Sequence, residues 1–63
     1  MSIVEYINAK RLTESCQLLK ASDRSITEIA HMVGFRSSSY FNLKFRELFN
    51  CTPMDYRKNT SIG

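Results

Sequence analysis

The sequence has few of the residues that break or turn a chain. Only two glycines and one proline occur among 63 residues. An all-β fold needs many tight turns, and glycine and proline form most of them, so that fold class is disfavoured. The same scarcity excludes a collagen-like or low-complexity chain. A chain this short holds one small domain with a single core, and the sequence therefore predicts an all-α fold.

Cysteine, histidine and long apolar runs are also scarce. Two cysteines, Cys16 and Cys51, allow at most one disulfide, which is not the pattern of a disulfide-dense secreted domain. No apolar run reaches the ~18–20 residues of a membrane-spanning helix, and we expect no signal peptide. His31 is the only histidine, and it forms neither zinc-ligand spacing nor a nucleophile motif with the cysteines. We therefore expect no enzyme, no metal and no cofactor.

The charged residues are unevenly distributed along the chain. Residues 1–35 contain four basic and four acidic residues, which cancel. Residues 36–63 contain five basic and two acidic residues, so the whole net charge of +3 lies there. This asymmetry indicates a polyanionic partner on that side, although a solvated basic face with no partner explains it equally well.

Capping residues and apolar spacing predict four helices, over residues 3–21, 26–33, 38–49 and 53–58, with 59–63 as a frayed tail. Each helix follows a side chain that can accept from its free backbone N–H groups, and these caps are Ser2, Ser25, Ser37 and Thr52. Pro53 occupies the first position of the fourth helix, which proline favours. Gly34 lies where a residue of positive φ would end the second helix.

The apolar spacing predicts a core shared by the first three helices. Its expected members are Leu12, Cys16, Leu19, Ile29, Ala30, Phe41 and Phe45. We expect six further residues to complete this core: Ile26, Val33, Leu48, Phe49, Met54 and Tyr56. The first helix also carries a second apolar stripe, roughly opposite its core face, formed by Ile3, Val4, Ile7 and Leu18. Because this chain offers nothing to cover it, the second stripe predicts a missing subdomain or a second copy of the chain.

Helices two and three match the description of a helix-turn-helix. Ala30 is small enough for a close helix crossing, and Gly34 permits the turn. In this motif the N-terminal part of the second helix meets base edges in the major groove of DNA. The short polar side chains there predict base contacts at Ser38, Ser39 and Asn42. Phosphate contacts are predicted for the helix start and the basic residues around it: Arg36, Ser37, Lys44 and Arg46.

Taken together, the motifs resemble those of the AraC/XylS family of bacterial transcription regulators. The resemblance spans residues 2–58 and is carried by Tyr6-Ile7-Asn8, Arg11-Leu12, Leu18-Leu19, Ser25-Ile26-Thr27-Glu28-Ile29-Ala30, Val33-Gly34-Phe35, Ser39-Tyr40-Phe41, Phe45-Arg46 and Thr52-Pro53-Met54-Asp55-Tyr56-Arg57. Members of this family have a DNA-binding domain of two helix-turn-helix subdomains joined by a long linker helix. The present sequence resembles the C-terminal part of that domain.

The resemblance implies an architecture and a function. Residues 2–21 would be the linker helix, and residues 25–58 a homeodomain-like subdomain containing the second helix-turn-helix. The implied function is sequence-specific binding of double-stranded DNA by a cytoplasmic, nucleoid-associated bacterial regulator. The absent first subdomain would cover the second stripe.

Two positions depart from the family pattern. Cys16 stands where a small residue, often alanine, is usual, and a buried cysteine is itself a small apolar residue. Leu43 stands where an arginine is frequent in the recognition helix. Either a basic contact has moved to Lys44, or Leu43 makes a base contact to the methyl group of a thymine.

A second reading of the same residues is a helical protein-interaction or dimerisation module that uses the second stripe and makes no DNA contact. The two readings differ in salt dependence. Affinity for DNA falls steeply as salt rises, whereas an apolar dimer is nearly indifferent to salt.

Overall fold

A computed structural model describes residues 1–60, and in that range the chain forms four α-helices and no strand. Helix α1 spans Ile3–Ala21, α2 Ile26–Met32, α3 Ser38–Phe49 and α4 Pro53–Thr60. The predicted all-α fold is confirmed. Helix α2 ends one residue before the predicted boundary and α4 two residues after it, so Asn59 and Thr60 are helical; the rest of the predicted tail, 61–63, lies outside the described residues. None of these helices is both long and apolar enough to cross a membrane.

The helix starts are set by local hydrogen bonds, as the sequence predicts. The cap side chain accepts from the backbone N–H three residues later at distances of 3.1, 3.1, 3.2 and 3.0 Å, for the pairs Ser2–Glu5, Ser25–Glu28, Ser37–Tyr40 and Thr52–Asp55. At α2 the Glu28 carboxylate also accepts from the backbone N–H of Ser25, which completes a capping box. Each cap satisfies N–H groups that have no partner inside the helix.

One apolar core joins the four helices. The seven residues predicted for the centre of the core are all buried, and so is the predicted Val33; Phe35 from the α2–α3 turn joins them. Aromatic rings form a continuous row through this core, with centroid distances of 5.3 Å for Phe35–Phe41, 5.8 Å for Phe41–Phe45 and 5.7 Å for Phe45–Tyr56. Such tilted and edge-on pairs are favourable beyond their buried area. Ser15 is buried in the same face of α1, where its Oγ donates to the carbonyl of Leu12.

Two residues predicted for the core are exposed. Leu48 is 45% exposed, because it lies on the edge of α3 that borders an open groove beside the N-terminal half of α1. Met54 is also exposed, because Pro53 and Tyr56 are the residues of the first α4 turns that reach the core. Phe49 and Tyr56 are half-buried and pack against the core as expected.

Helix α1 is covered along its C-terminal half and open along its N-terminal half. Ile3 is 76% and Val4 59% exposed, and Ile7 is exposed as well. Leu18 differs from these three members of the second stripe: it is half-buried and packs against the core. Leu18 lies in the covered half of α1, because the core residues that α1 contributes all lie between Leu12 and Leu19. Both α2 and α4 contact α1.

Candidate nucleic-acid interface

The turn between α2 and α3 has the geometry of a helix-turn-helix. Gly34 has a positive φ, as the sequence predicts, and its value is +103°. Residues other than glycine rarely adopt this backbone conformation. The backbone N–H of Phe35 donates to the carbonyl of Ala30 at 2.9 Å, which closes the end of α2. Ala30 itself is completely buried, so a larger side chain has no space at this point. The turn therefore fixes α3 against α2.

The N-terminal end of α3 carries the features that suit a phosphate. Ser37 is the N-cap and is exposed, and Arg36 immediately before it is exposed too. The free backbone N–H groups and the positive end of the helix dipole lie at this end of α3. Ser37 thus caps α3 as predicted, and Arg36 is an exposed basic residue directly before the helix start.

The solvent face of α3 carries three exposed residues that we call the outward stripe: Ser39, Leu43 and Arg46. Their spacing of four and three residues puts them on one side of the helix, opposite the buried Phe41 and Phe45. Leu43 is 52% exposed at the middle of this stripe. Arg46 has no ion pair within residues 1–60. The stripe thus combines a hydroxyl, an apolar side chain and a free guanidinium.

Ser38 and Asn42 lie closer to the core than the sequence suggests. Both are half-buried, and the side-chain amide of Asn42 donates to the carbonyl of Ser38 at 2.7 Å. Two-bond recognition of an adenine needs both the donor and the acceptor of an asparagine amide. In Asn42 one amide N–H is already engaged within the helix, so only the other N–H remains as a donor to a base.

Lys44 is engaged inside the chain. Its Nζ lies 3.2 Å from the Glu47 carboxylate and 5.5 Å from the centre of the Tyr40 ring. The hydrogen bond and the charge of Glu47 both raise the pKa of Lys44. Ion pairs this exposed contribute little to stability, so Lys44 can exchange Glu47 for a phosphate at small cost. Within residues 1–60 no cluster of His, Cys, Asp and Glu side chains is placed to hold a metal ion.

Three further side chains make contacts that the sequence pattern did not predict, two of them at the helix-turn-helix and one at the end of α1. Asn8 of α1 donates to the Tyr40 hydroxyl at 3.3 Å. The side chain of Arg11 lies beside Gly34. The guanidinium of Arg57 donates to the carbonyls of Leu19 and Ser22. These residues belong to the motifs that carry the family resemblance, but neither charge nor spacing identifies their partners, because the partners are distant in sequence.

Comparisons with known proteins agree with this geometry. Residues 1–59 match a protein-family model described as a helix-turn-helix domain. The chain is 38% identical to YdeC of Bacillus subtilis, an uncharacterized HTH-type transcriptional regulator, over 92% of this chain and 20% of that protein. It is 45% identical to RhaS of Salmonella arizonae, an HTH-type transcriptional activator, over 84% of this chain and 19% of that protein. The chain thus spans about one fifth of the length of these relatives.

A solved structure shows the same fold. The C-terminal domain of the two-component response regulator yesN from Fusobacterium nucleatum superposes with a TM-score of 0.86 at 33% identity, covering 90% of this chain and 55% of that one. None of these three proteins is described as an interaction or dimerisation module, so the second reading gains no support. The resemblance in the sequence motifs is thereby confirmed: the chain belongs to the AraC/XylS family of bacterial transcription regulators and is a DNA-binding helix-turn-helix module.

Proposed function

We propose that the chain binds double-stranded DNA by placing α3 in the major groove, with Ser39 and Leu43 of the outward stripe facing the base edges and Arg46 facing the phosphate backbone. The observation that carries this proposal is the stripe itself. Ser39, Leu43 and Arg46 are exposed along one side of a helix whose opposite side is locked into the core by Phe41 and Phe45. A rigid helix with a free polar and apolar face is what groove recognition requires.

The predicted contacts divide into two groups. Base contacts are proposed for Ser38, Ser39, Asn42 and Leu43, and phosphate contacts for Arg36, Ser37, Lys44 and Arg46. Burial ranks the first group, because Ser39 and Leu43 are exposed whereas Ser38 and Asn42 are half-buried. In the second group Lys44 is a weaker candidate for a phosphate contact than Arg36 and Arg46, because it is paired with Glu47.

The chain acts as part of a longer regulator in this proposal. Residues 2–21 are the linker helix and residues 25–58 the second helix-turn-helix subdomain. A first subdomain, or a second copy of the chain, packs on the exposed Ile3, Val4 and Ile7. The regulator is a non-enzymatic cytoplasmic protein that associates with the nucleoid through DNA. This proposal is supported by the regulator and activator names of the relatives and by their greater length.

Salt dependence tests the phosphate contacts. Duplexes selected from a randomised library at low salt are titrated with the chain at several salt concentrations, and binding is followed by fluorescence anisotropy. We expect Arg46→Ala to weaken binding on every sequence and to reduce the slope of log K against log salt by about one unit. Lys20→Ala, which removes a charge from the far end of α1, is the control and should leave the slope unchanged. A slope that Arg46→Ala does not alter would contradict the phosphate role.

Removal of one methyl group tests the base contact of Leu43. Each thymine of the selected duplex is replaced in turn by deoxyuridine, which differs only in lacking the 5-methyl group. At one position we expect a loss of about 1 kcal/mol in binding free energy, close to that of one buried methylene. With Leu43→Ala the same replacement should have no effect. Equal responses of the two proteins at every thymine would rule out the contact.

A further inference from the structure

The side chain of Arg11 reaches from α1 to the turn between α2 and α3. A Cβ atom placed on Gly34 would lie 3.0 Å from Arg11 Nε, 3.1 Å from Cζ and 3.5 Å from Cδ. The space beside the Gly34 Cα is therefore filled by the flat guanidinium group and the end of its stem. Glycine is required here twice, for its positive φ and for the room that Arg11 occupies.

A second residue on the same side of α1 contacts the start of α3. Asn8 precedes Arg11 by three residues, so the two side chains are neighbours on the helix surface. Asn8 donates to the hydroxyl of Tyr40, which lies in the first turn of α3. The ring of Tyr40 is 5.9 Å from that of Phe35, the residue that follows Gly34. One face of α1 thus contacts both ends of the segment that leads into α3.

The charge of Arg11 has no partner in the part of the chain that the structure describes. Within residues 1–60 Arg11 takes part in no side-chain hydrogen bond and in neither ion pair. Its contribution to the folded chain is therefore packing against the turn. That leaves two possible roles in a complex with DNA, as a support for the turn or as a further phosphate contact, and the close fit to Gly34 favours the first.

We propose that Arg11 is a positioning residue for DNA recognition. Its guanidinium group, packed against Gly34, fixes the turn and with it the angle at which α3 presents the outward stripe to the DNA. This inference rests on the proposed function, because it assumes that α3 reads DNA.

Two measurements on duplex binding distinguish positioning from phosphate contact. The first is the ratio of affinities for a selected duplex and a shuffled one, and the second is the salt slope. For Arg11→Ala we expect the affinity ratio to fall by about threefold to tenfold, and the upper value corresponds to the loss of one base contact. The salt slope should not change. Lys10→Ala, which removes the neighbouring positive charge, is the matched control and should change neither quantity.

A conservative variant covers the case in which the alanine variant is too unstable to study. Arg11→Lys keeps the charge but lacks the flat group, so its affinity ratio should fall as well, with the slope retained. A slope reduced by about one unit in Arg11→Ala, with equal losses on both duplexes and full recovery in Arg11→Lys, would overturn the proposal in favour of a phosphate contact.

Hydrogen exchange tests the support of the turn without DNA. The backbone N–H of Phe35 donates to Ala30 and that of Tyr40 to the Ser37 hydroxyl. Both should exchange faster in Arg11→Ala, whereas the N–H of Tyr56 in α4 should not change. Unchanged exchange at Phe35 and Tyr40 would overturn the proposal. If the unmodified chain showed no preference among duplexes, the proposed function would fail, and the exchange rates would still decide whether Arg11 holds the turn.

Discussion

Single residues set the geometry of the helix-turn-helix. Gly34, at φ +103°, and Asn50, the C-cap of α3 at φ +61°, are the two positions of positive φ within residues 1–60. Asparagine tolerates the left-handed region because its side chain can hydrogen-bond locally, so Asn50 needs no glycine. The φ of Gly34 is about 40° larger than that of Asn50 and lies outside the range that asparagine tolerates. The side chain of Arg11 also occupies the space where a Cβ atom on Gly34 would lie. These two positions therefore differ in what they accept.

The first prediction concerns these two positions. Gly34→Val should reduce the free energy of unfolding by about 1–3 kcal/mol, because it combines a strained φ with a contact against Arg11. Asn50→Gly should change it by less than about 0.5 kcal/mol, since glycine adopts the same backbone conformation freely. Urea denaturation at constant temperature measures both. A Gly34→Val variant as stable as the original chain would refute the geometry of the turn.

The second prediction concerns the buried thiol of Cys16. Burial raises the pKa of Cys16, although the hydroxyl of Tyr56 and the charge of Lys20 partly oppose this. An acid whose pKa is higher in the folded chain favours folding below its unfolded pKa of about 8.5 and loses that contribution as the pH rises through the folded pKa. The free energy of unfolding should therefore decrease above about pH 8.5.

A substitution identifies the group responsible. In Cys16→Ala the dependence of the unfolding free energy on pH should become shallower in this range, whereas Cys51→Ala, which retains the buried thiol, should keep it. Some decrease should persist at higher pH, because burial also raises the pKa of Tyr56. Identical pH profiles for Cys16→Ala and the original chain would show that the thiol is not the group responsible.

At the scale of elements, α4 closes the domain by holding the end of α1. Arg57 Nε donates to the carbonyl of Leu19 at 3.1 Å, and an Nη atom donates to that of Ser22 at 3.2 Å. These carbonyls lie at the C-terminal end of α1, where the last four have no partner inside the helix. The positive guanidinium also suits the negative end of the helix dipole. Arg57 is therefore a cap for α1 supplied by a residue far along the chain.

The third prediction follows from this cap. Arg57→Met keeps most of the stem but removes both hydrogen bonds, and it should reduce the free energy of unfolding by about 2 kcal/mol. Lys58→Met removes an exposed charge from the next position and should change it by less than about 0.5 kcal/mol. Chemical denaturation compares the two variants. Equal stabilities would mean that the contacts of Arg57 contribute nothing.

At the scale of the whole molecule, the core occupies one end of α1 and leaves the other end open. The buried residues of α1 lie between Leu12 and Leu19, while Ile3, Val4 and Ile7 are exposed. Several neighbouring exposed apolar side chains of this kind commonly mark an interaction surface. They contribute little to the stability of the chain itself, because they are not buried in it.

The fourth prediction separates folding from association. Ile7→Lys should change the free energy of unfolding by less than about 0.5 kcal/mol, whereas Leu12→Ala should reduce it by about 2–5 kcal/mol. Sedimentation equilibrium then identifies the partner of this surface. Dimers that Ile7→Lys abolishes would indicate a second copy of the chain, and a monomer at all concentrations would favour another subdomain of a longer regulator. A large loss of stability in Ile7→Lys would contradict the exposed position of this surface.

The sequence by itself determined the local features of the fold. The starts of the four helices follow from Ser2, Ser25, Ser37 and Thr52, because each cap bonds to an N–H only three residues away. The positive φ of Gly34 could be predicted from its position after α2 for the same reason. The central core could also be predicted, because apolar spacing identifies the middle of each buried face.

Only the tertiary structure decided where each buried face ends. Helical spacing gives the direction of a side chain about its own axis, but the sector that is covered depends on where the other helices cross. Leu48 and Leu18 illustrate this: the first is exposed beside an open groove, and the second is half-buried against the core. The same limit applies to α3, where the sequence named the candidate contacts but not the half-burial of Asn42. The bonds of Arg57 were beyond prediction because they join residues 35 and 38 positions apart, which only the packing of α4 on α1 brings together.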